Sequence, residues 1–422
     1  MIVLDLSHRA PQTLSALAFT AAIAVPPSLT VANLAYKLVA PVHPLYQPTV
    51  AVISHLSPYC TEALRIPVGP PRAVLSTVVV SPILRIKEAP SQARPPCPNP
   101  RGVHLRIRGS VLLLPGYGMP KAALLPYATA LAARGYRAVL VDLRAQGEST
   151  GRYLGYGKQE ASDLVQLLRN LRRHGLATGG IGLLGLSYGA AVALDTAALD
   201  HRIAAVVAVA PFSRVSPTIR RFLQMSNPRL ATTIPASRLR KAIAQAGHLV
   251  GYPLNQADPL RAVPAIRAHV LYLAGGQDPV SPLRDVRALA AQTPHARLVI
   301  EPHDNHWTLT TNVPLIVRNT LYWFERYLPG QSGTLWSGQK RAVVPANDKK
   351  HYNPLMDLIE LTRGAEERSY FLQPTRQPSL GAVILRNRRY RHVYRDEDQS
   401  GICDSDLDTF ACWLRRRREW AK

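Results

Sequence analysis

The sequence predicts an α/β fold in which a doubly wound, mostly parallel sheet carries helices on both faces. Between residues 103 and 330, short apolar runs alternate with longer segments whose apolar residues recur at helical spacing. This alternation favours a parallel sheet, because each helix supplies the crossover between two strands. The alternation breaks at 213–262, where two or three polar-faced helices are predicted. We expect this insertion to act as a helical lid over the end of the sheet.

The limits of the predicted helices are marked by residues that favour the start or the end of a helix. The helix over 120–134 has proline at its first position and Gly135 just past its end. Gly175 closes the helix over 159–174 in the same way. Apolar runs between such segments are typical of buried strands. The predicted strands cover 110–115, 137–142, 181–186, 203–210, 270–274 and 297–300, and further helices cover 236–249, 283–292 and 313–328.

Two segments precede this domain. Residues 1–40 contain an apolar core, Leu14–Val25, that two prolines follow. This pattern indicates a signal peptide or a membrane anchor, and a buried or irregular extension is the alternative. Residues 41–102 are rich in proline and predict a linker up to about residue 70, followed by leading strands. Within them, 73–80 and 83–87 are rich in β-branched and aliphatic residues and predict an antiparallel pair.

The charge of the chain is strongly positive. The 422 residues carry a formal net charge of +24, but the basic residues are mostly arginine and are scattered along the chain. The one cluster, Arg415–Arg418, lies in residues 331–422, which lack periodicity and predict a basic, poorly ordered C-terminal extension. No nucleic-acid-binding motif accompanies the charge, so we expect no specific nucleic-acid partner.

Cysteine usage indicates neither a metal site nor a redox site. Cys60, Cys97, Cys403 and Cys412 match no metal-binding spacing and no Cys-x-x-Cys pair. One or two disulfides are compatible with export, and free thiols are equally compatible. We expect no metal and no organic cofactor.

The motif that organises the chain is Gly185-Leu-Ser187-Tyr-Gly189, which ends an apolar run and precedes a helix-prone one. A serine on a sharp strand-to-helix turn is the setting of a nucleophile elbow. The turn strains the serine backbone, so its neighbours two positions away must be small. A second G-x-S-x-G match at 147–151 lacks the direct strand-to-helix setting. We therefore interpret Ser187 as the nucleophile and Ser149 as a loop residue.

A nucleophilic serine needs a base, and that base needs a carboxylate to orient it. On a doubly wound sheet these groups follow in the order Ser, acid, His. Asp278 follows the strand at 270–274 in a tight loop, and a helix N-cap is the alternative role for it. His303 and His306 both follow the last strand. We favour His306, because it lies farther along the loop, from where it can reach back over the sheet edge; a surface loop histidine is the alternative.

An oxyanion hole needs two backbone N–H groups. We expect one from Tyr188, which follows the nucleophile at a helix N-terminus. The second is expected from Tyr117, in the loop after the first parallel strand, where Gly116 and Gly118 support the turn. A plain glycine-rich turn is the alternative reading of that loop.

Residues from about 104 to 328 resemble the serine hydrolases of the α/β-hydrolase fold. The resemblance lies in the joint pattern of the Pro115–Gly118 loop, the Asp142–Ser149 loop, the elbow, Asp278 and His306. Within that family the chain is most similar to bacterial esterases and to the serine aminopeptidase-like (monoglyceride-lipase-like) hydrolases. Pro115 replaces the family's histidine and Ala145 replaces its glycine at a position where we expect a β-carbon to be tolerated. Neither change removes a catalytic group, but together they leave the substrate class open.

The resemblance and the triad predict a serine hydrolase that cleaves a carboxylic ester, or a small amide, through an acyl-enzyme on Ser187. The expected substrate is a small acyl ester or a short peptide. Alternatives are a serine aminopeptidase-like peptidase and, from another class, a non-catalytic membrane-tethered α/β-hydrolase scaffold. The N-terminal segment favours membrane association or export over a cytoplasmic location. The oligomeric state is left open.

Overall fold

An eight-stranded, mostly parallel sheet forms the centre of the molecule. The computed structural model describes residues 30–43, 50–84 and 107–328. The strands lie in the order β1-β2-β4-β3-β5-β6-β7-β8; β1, β2 and β4 pair in antiparallel fashion, and all further pairs are parallel. The strands are β1 Tyr59–Val68, β2 Ala73–Leu84, β3 Gly109–Leu114, β4 Tyr136–Val141, β5 Gly180–Leu186, β6 Ile203–Val209, β7 His269–Gly275 and β8 Ala296–Glu301.

Helices cover both faces of this sheet. They are α1 Val31–Val39, α2 Val50–Leu56, α3 Leu125–Ala133, α4 Lys158–Arg173, α5 Tyr188–Leu199, α6 Val215–Ser226, α7 Pro228–Thr233, α8 Ala236–Val250, α9 Pro259–Ala262, α10 Leu283–Gln292, α11 His306–Thr311 and α12 Val313–Tyr327. Successive strand residues point to opposite faces, so Leu112 joins the core under α4, α5 and α10, whereas Leu113 joins the core under α3 and α12. The predicted doubly wound fold is confirmed.

The first strands differ from the sequence prediction. The linker expected up to residue 70 is wrong, because β1 occupies 59–68 and α2 lies before it. The predicted pairing of 73–80 with 83–87 is also wrong, since β2 is one strand from 73 to 84 that pairs with β1. The prolines misled the prediction: β1 is an edge strand, and an edge strand tolerates a residue such as Pro67 that lacks an N–H donor.

The first described segment, residues 30–43, packs on the body of the domain. Leu34, Ala35, Leu38 and Val39 of α1 are buried, and α1 lies against α8. The apolar core predicted as a signal peptide or anchor lies outside the described residues, as does the extension at 331–422. In the described part of the chain, no helix is long and apolar enough to cross a bilayer. Cys60 is disulfide-bonded, and the other three cysteines lie outside the described residues.

The predicted insertion at 213–262 lies between β6 and β7 and contains α6, α7, α8 and α9. It leaves the sheet at the carboxyl end of β6, and the carboxyl ends of β3, β5, β7 and β8 meet at the same edge because these strands are parallel. This edge is where open α/β sheets bind their ligands. The role of the insertion as a lid stays a prediction.

Candidate active site

Ser187 lies at the sharp turn between β5 and α5. Its φ of 51° and ψ of −109° are unusual for a residue with a side chain. The flanking glycines leave no room for larger residues: an ideal Cβ on Gly185 would lie 2.2 Å from the carbonyl oxygen of Gly189, and one on Gly189 would lie 2.3 Å from the carbonyl oxygen of Leu114. The strain and the close backbone approach agree with the expected elbow.

A continuous hydrogen-bonded relay joins three predicted residues. The Ser187 Oγ lies 2.9 Å from His306 Nε2, and His306 Nδ1 lies 2.7 Å from Asp278 Oδ2. His306 and Asp278 are buried, with 3% and 5% of their surfaces exposed. Because the carboxylate accepts the Nδ1 proton, Nε2 is left to accept the serine hydroxyl proton. Of the two histidines that competed in the sequence, the structure brings His306 to the serine and leaves His303 exposed.

Both carboxylate oxygens of Asp278 accept hydrogen bonds. Its Oδ1 accepts hydrogen bonds of 2.8 Å from Val280 N and 2.7 Å from Ser281 N, which leaves Oδ2 for His306. The alternative role as an N-cap is excluded, since Pro282 occupies that position on α10. The carboxylate is therefore oriented before it meets the imidazole.

Two adjacent glycines that the sequence analysis did not single out, Gly275 and Gly276, let the loop that carries Asp278 pack against the loop that carries His306. An ideal Cβ on Gly275 would lie 2.4 Å from the carbonyl oxygen of Asp304, and one on Gly276 would lie 2.4 Å from that of Pro302. The backbone of Gln277 donates a 3.0 Å hydrogen bond to the carbonyl of Asp304. The signal for this contact was present as a double glycine directly after a predicted strand.

The loop expected to donate to an oxyanion lies against the elbow. An ideal Cβ on Gly116 would lie 3.8 Å from Ser187 Cβ, so this position touches the serine without needing glycine on steric grounds. Gly118, by contrast, has a φ of 66°, a left-handed conformation that favours glycine. Tyr117 lies between them, and Tyr188 is the first residue of α5, whose N–H has no partner one turn earlier in the helix.

A buried polar cluster fixes that loop from below. Gly118 N donates to Gln146 Oε1 at 2.9 Å, and Lys121 N donates to Asp142 Oδ1 at 2.8 Å. Lys121 Nζ reaches Asp142 Oδ2 at 2.7 Å and Glu148 Oε2 at 2.5 Å. Burial alone would raise the pKa of Glu148, but its hydrogen bond and attraction to Lys121 lower it overall.

The second G-x-S-x-G match belongs to this supporting cluster. Ser149 Oγ donates a 2.6 Å hydrogen bond to the carbonyl of Asp142 and accepts one of 2.8 Å from Ser76 N. Ser149 is a buried loop residue, as the sequence predicted. Nearby, Ala145 occupies the family's glycine position with a φ of 56°; its β-carbon is accommodated at a strain of about 1 kcal/mol.

Aromatic side chains of the loop after β3, the elbow and the insertion pack against one another. The ring of Tyr117 lies 5.6 Å from that of Phe222, between centroids, and 6.3 Å from that of Tyr188. Phe222 belongs to α6, so the insertion touches the loop beside Ser187. Among the described residues, no group of three or more His, Cys, Asp or Glu side chains could hold a metal ion.

Comparison with known sequences places this site in a family. Residues 111–313 match the sequence model of the alpha/beta hydrolase family. This part of the chain belongs to the alpha/beta hydrolase family. The family named from the sequence motifs is therefore confirmed for residues 111–313. The assignment to the monoglyceride-lipase-like subgroup stays a prediction.

Individual proteins resemble this chain only over a short stretch or at low sequence identity. The chain is 37% identical to the polyketide transferase grgF of a Penicillium species over 109 residues, which are 25% of this chain and 37% of the relative. The match thus spans little more than a third of the length of that curated relative. An esterase from Pyrococcus furiosus superposes with a TM-score of 0.53 at 18% identity, over 69% of this chain and 98% of the esterase. A thermophilic esterase from Thermogutta terrifontis has a TM-score of 0.42 at 20% identity, over 63% and 99%. The structure of the Pyrococcus furiosus esterase confirms the fold, and the Thermogutta terrifontis esterase is too dissimilar to support it further.

Proposed function

We propose that the protein is a serine hydrolase that cleaves carboxylic esters through an acyl-enzyme on Ser187. The observation that carries this proposal is the unbroken relay from Ser187 through His306 to Asp278, with contacts of 2.9 Å and 2.7 Å. Both distances lie within the reach that proton transfer between a nucleophile, its base and the orienting acid requires.

In the acylation step, Ser187 Oγ attacks the ester carbonyl carbon while its proton passes to His306 Nε2. The imidazolium that forms is stabilised by the carboxylate of Asp278, which keeps its negative charge. The carbonyl oxygen becomes an oxyanion, and the backbone N–H groups of Tyr117 and Tyr188 donate hydrogen bonds to it. The C–O bond of the ester then breaks, and His306 gives its proton to the leaving alcohol.

Deacylation repeats these steps with water as the nucleophile. His306 removes a proton from water, and the hydroxide oxygen attacks the acyl carbon attached to Ser187. The second oxyanion occupies the same backbone donors. When it collapses, the bond to Ser187 Oγ breaks, His306 returns the proton to the serine, and the carboxylic acid leaves.

The apolar surroundings support an ester with an apolar acyl group. Tyr117, in the loop next to the elbow, packs against Phe222 of the insertion, and the sequence carries no feature that marks a pocket for a substrate amine. The esterase name of the Pyrococcus furiosus structure agrees with this choice. We infer that the insertion at 213–262 covers the acyl group. Phe222 is its contact to Tyr117 in the loop at 115–118, the oxyanion loop.

Hydrolysis of matched esters and amides tests the proposal. We expect the wild-type chain to hydrolyse p-nitrophenyl esters of two to eight carbons with an initial burst of one p-nitrophenol per enzyme when deacylation is slower. Aminoacyl p-nitroanilides should react far more slowly. Faster cleavage of the anilides would favour the peptidase alternative, and the absence of any hydrolysis by a folded chain would favour the non-catalytic scaffold.

The polyketide transferase among the relatives makes acyl transfer a second candidate. An acyl-enzyme can be resolved by an alcohol instead of water, with the same base and oxyanion donors. Adding butanol during ester turnover separates the two. Hydrolysis predicts mainly free acid at moderate alcohol concentration, whereas a transferase predicts mainly the butyl ester.

A further inference from the structure

The side chain of Tyr188, directly after the proposed nucleophile, is part of a buried hydrogen-bond network outside the triad. Its phenol donates a 2.9 Å hydrogen bond to Glu160 Oε1 and accepts one of 2.9 Å from Tyr156 N. Burial first, and next the charge of Glu160, raise the pKa of the Tyr188 phenol well above its usual range. The phenol therefore stays protonated and donates to the carboxylate.

Glu160 is a fully buried carboxylate on α4, 0% exposed. Besides the phenol, Gly155 N donates to its Oε1 at 2.7 Å and Gly157 N donates to its Oε2 at 2.9 Å. Burying a carboxylate is costly unless its oxygens are satisfied, and three donors satisfy this one. The same bonds hold a loop whose backbone is left-handed at Tyr156, with a φ of 55°.

The network continues into the N-terminal helix α1. The phenol of Tyr156 donates a 2.7 Å hydrogen bond to the carbonyl of Leu38, and Leu154 N donates one of 2.8 Å to the carbonyl of Val39. Since Tyr156 N also donates to the Tyr188 phenol, one residue joins the docked helix to the elbow.

We propose that Glu160 and Tyr156 are positioning residues that act through the Tyr188 side chain to aim the Tyr188 N–H at the oxyanion. This role rests on the proposed function. The N–H of the first helical residue is held by no intrahelical bond, and the strained serine before it relaxes unless its surroundings fix it. Anchoring the Tyr188 ring through its phenol restricts the movement of the peptide that carries this N–H.

Removal of the Tyr188 hydroxyl tests this role. Tyr188→Phe keeps the ring among its aromatic neighbours and deletes both phenol bonds. We expect kcat on an aryl ester to fall about 10- to 100-fold with KM changed less than about twofold, because displacing a donor costs less than the 10²- to 10³-fold loss of one. The rate constant for fluorophosphonate labelling should fall in parallel. Glu160→Gln, which keeps an acceptor for the phenol, should retain more activity than Glu160→Ala.

Tyr272→Phe is the matched control. This tyrosine is also fully buried, and its hydroxyl lies 2.7 Å from Thr293 Oγ1, away from the elbow. We expect a comparable loss of thermal stability with kcat unchanged. The positioning role is overturned if Tyr188→Phe keeps wild-type kcat, or if both variants lose kcat in proportion to stability. A wild-type chain that neither labels nor hydrolyses overturns the proposed function itself, which the two other outcomes leave intact.

Discussion

The two G-x-S-x-G sequences of this chain share a pattern but not a backbone. In the first, Ser187 itself is left-handed and its hydroxyl faces His306. In the second, the positive φ values belong to the glycines Gly147 and Gly151, and the hydroxyl of Ser149 bonds to two backbone groups. A serine whose hydroxyl is used in this way by the surrounding backbone has no base to activate it. The chemistry of the motif therefore depends on whether the serine itself has the strained backbone, and on which group its hydroxyl contacts.

Glycine is needed in both matches, for different reasons. An ideal Cβ on Gly189 would strike backbone atoms of the strand and loop beside the elbow, which cannot move without opening the sheet. One on Gly147 would lie 2.3 Å from the carboxyl carbon of Asp142, the acceptor that holds Lys121. Gly189 is needed so that the elbow can lie close to the end of β3. Gly147 is needed so that Asp142 can hold Lys121, next to the loop at 115–118.

The largest expected effect lies in the relay that only Ser187 has. Asp278→Asn should lower kcat by about 10⁴-fold, because the amide donates to the imidazole and leaves it in the wrong tautomer. The measurement is steady-state hydrolysis of an aryl ester. His303→Gln is the control: it changes an exposed histidine of the same region and should keep activity within about twofold of wild type. A loss as large in His303→Gln would contradict the choice of His306 as the base.

The next effect tests the backbone of the elbow. Gly189→Ala should lower stability by about 4 kcal/mol or more, or leave a folded chain with a displaced serine, because backbone atoms block the added methyl group. Gly175→Ala is the control, since its φ is 67° but nothing lies within 4 Å of the added carbon. We expect that change to cost about 1 kcal/mol, from the left-handed backbone alone. Urea unfolding of both variants measures the difference, and equal losses would contradict the steric account.

A smaller effect is expected at the second serine. Ser149→Ala removes one donor and one acceptor in a buried loop and should lower stability by about 1–3 kcal/mol. Fluorophosphonate labelling of the folded variant should keep its full stoichiometry. A Ser149→Ala chain that is as stable as wild type but no longer labels would reverse the roles assigned to the two serines.

The smallest effect is a pH dependence at Glu148, within the second match. Lys121 lowers its pKa in the folded state below the unfolded value of 4.5. Its contribution to stability is therefore present above pH 4.5 and is lost as the pH falls through the lower folded value. Because a quarter of the side chain is exposed, we expect less than about 1 kcal/mol. Between pH 6 and pH 3, wild type should lose more stability than Glu148→Gln in urea unfolding, and equal losses in the two chains would contradict the effect of Lys121 on Glu148.

The sequence predicts the three residues that the structure brings into contact, because each of them follows a strand in a fixed order. Asp278 and His306 come directly after apolar runs, and parallel strands bring such positions to one sheet edge. The positions that support them carry weaker signals. Glu160 lies on a helix 27 residues before Ser187 and reads as one of several polar residues there, since only the fold turns it toward Tyr188.

The N-terminal part was harder to predict for another reason. Proline content indicated a linker, but an edge strand has one side without ladder partners and admits proline in β1. The burial of α1 depends on α8 and on the loop around Tyr156, which are distant in sequence. Such contacts leave no periodic trace in either segment.

The identity of the acylated serine is the most direct test of the account. Wild type, Ser187→Ala and Ser149→Ala are each treated with a fluorophosphonate, and the modified residue is located by intact mass and peptide mapping. We expect one adduct on wild type and on Ser149→Ala, in the peptide that contains Ser187, and none on Ser187→Ala. An adduct on Ser187→Ala equal to that on wild type, or an adduct located at Ser149, would contradict it.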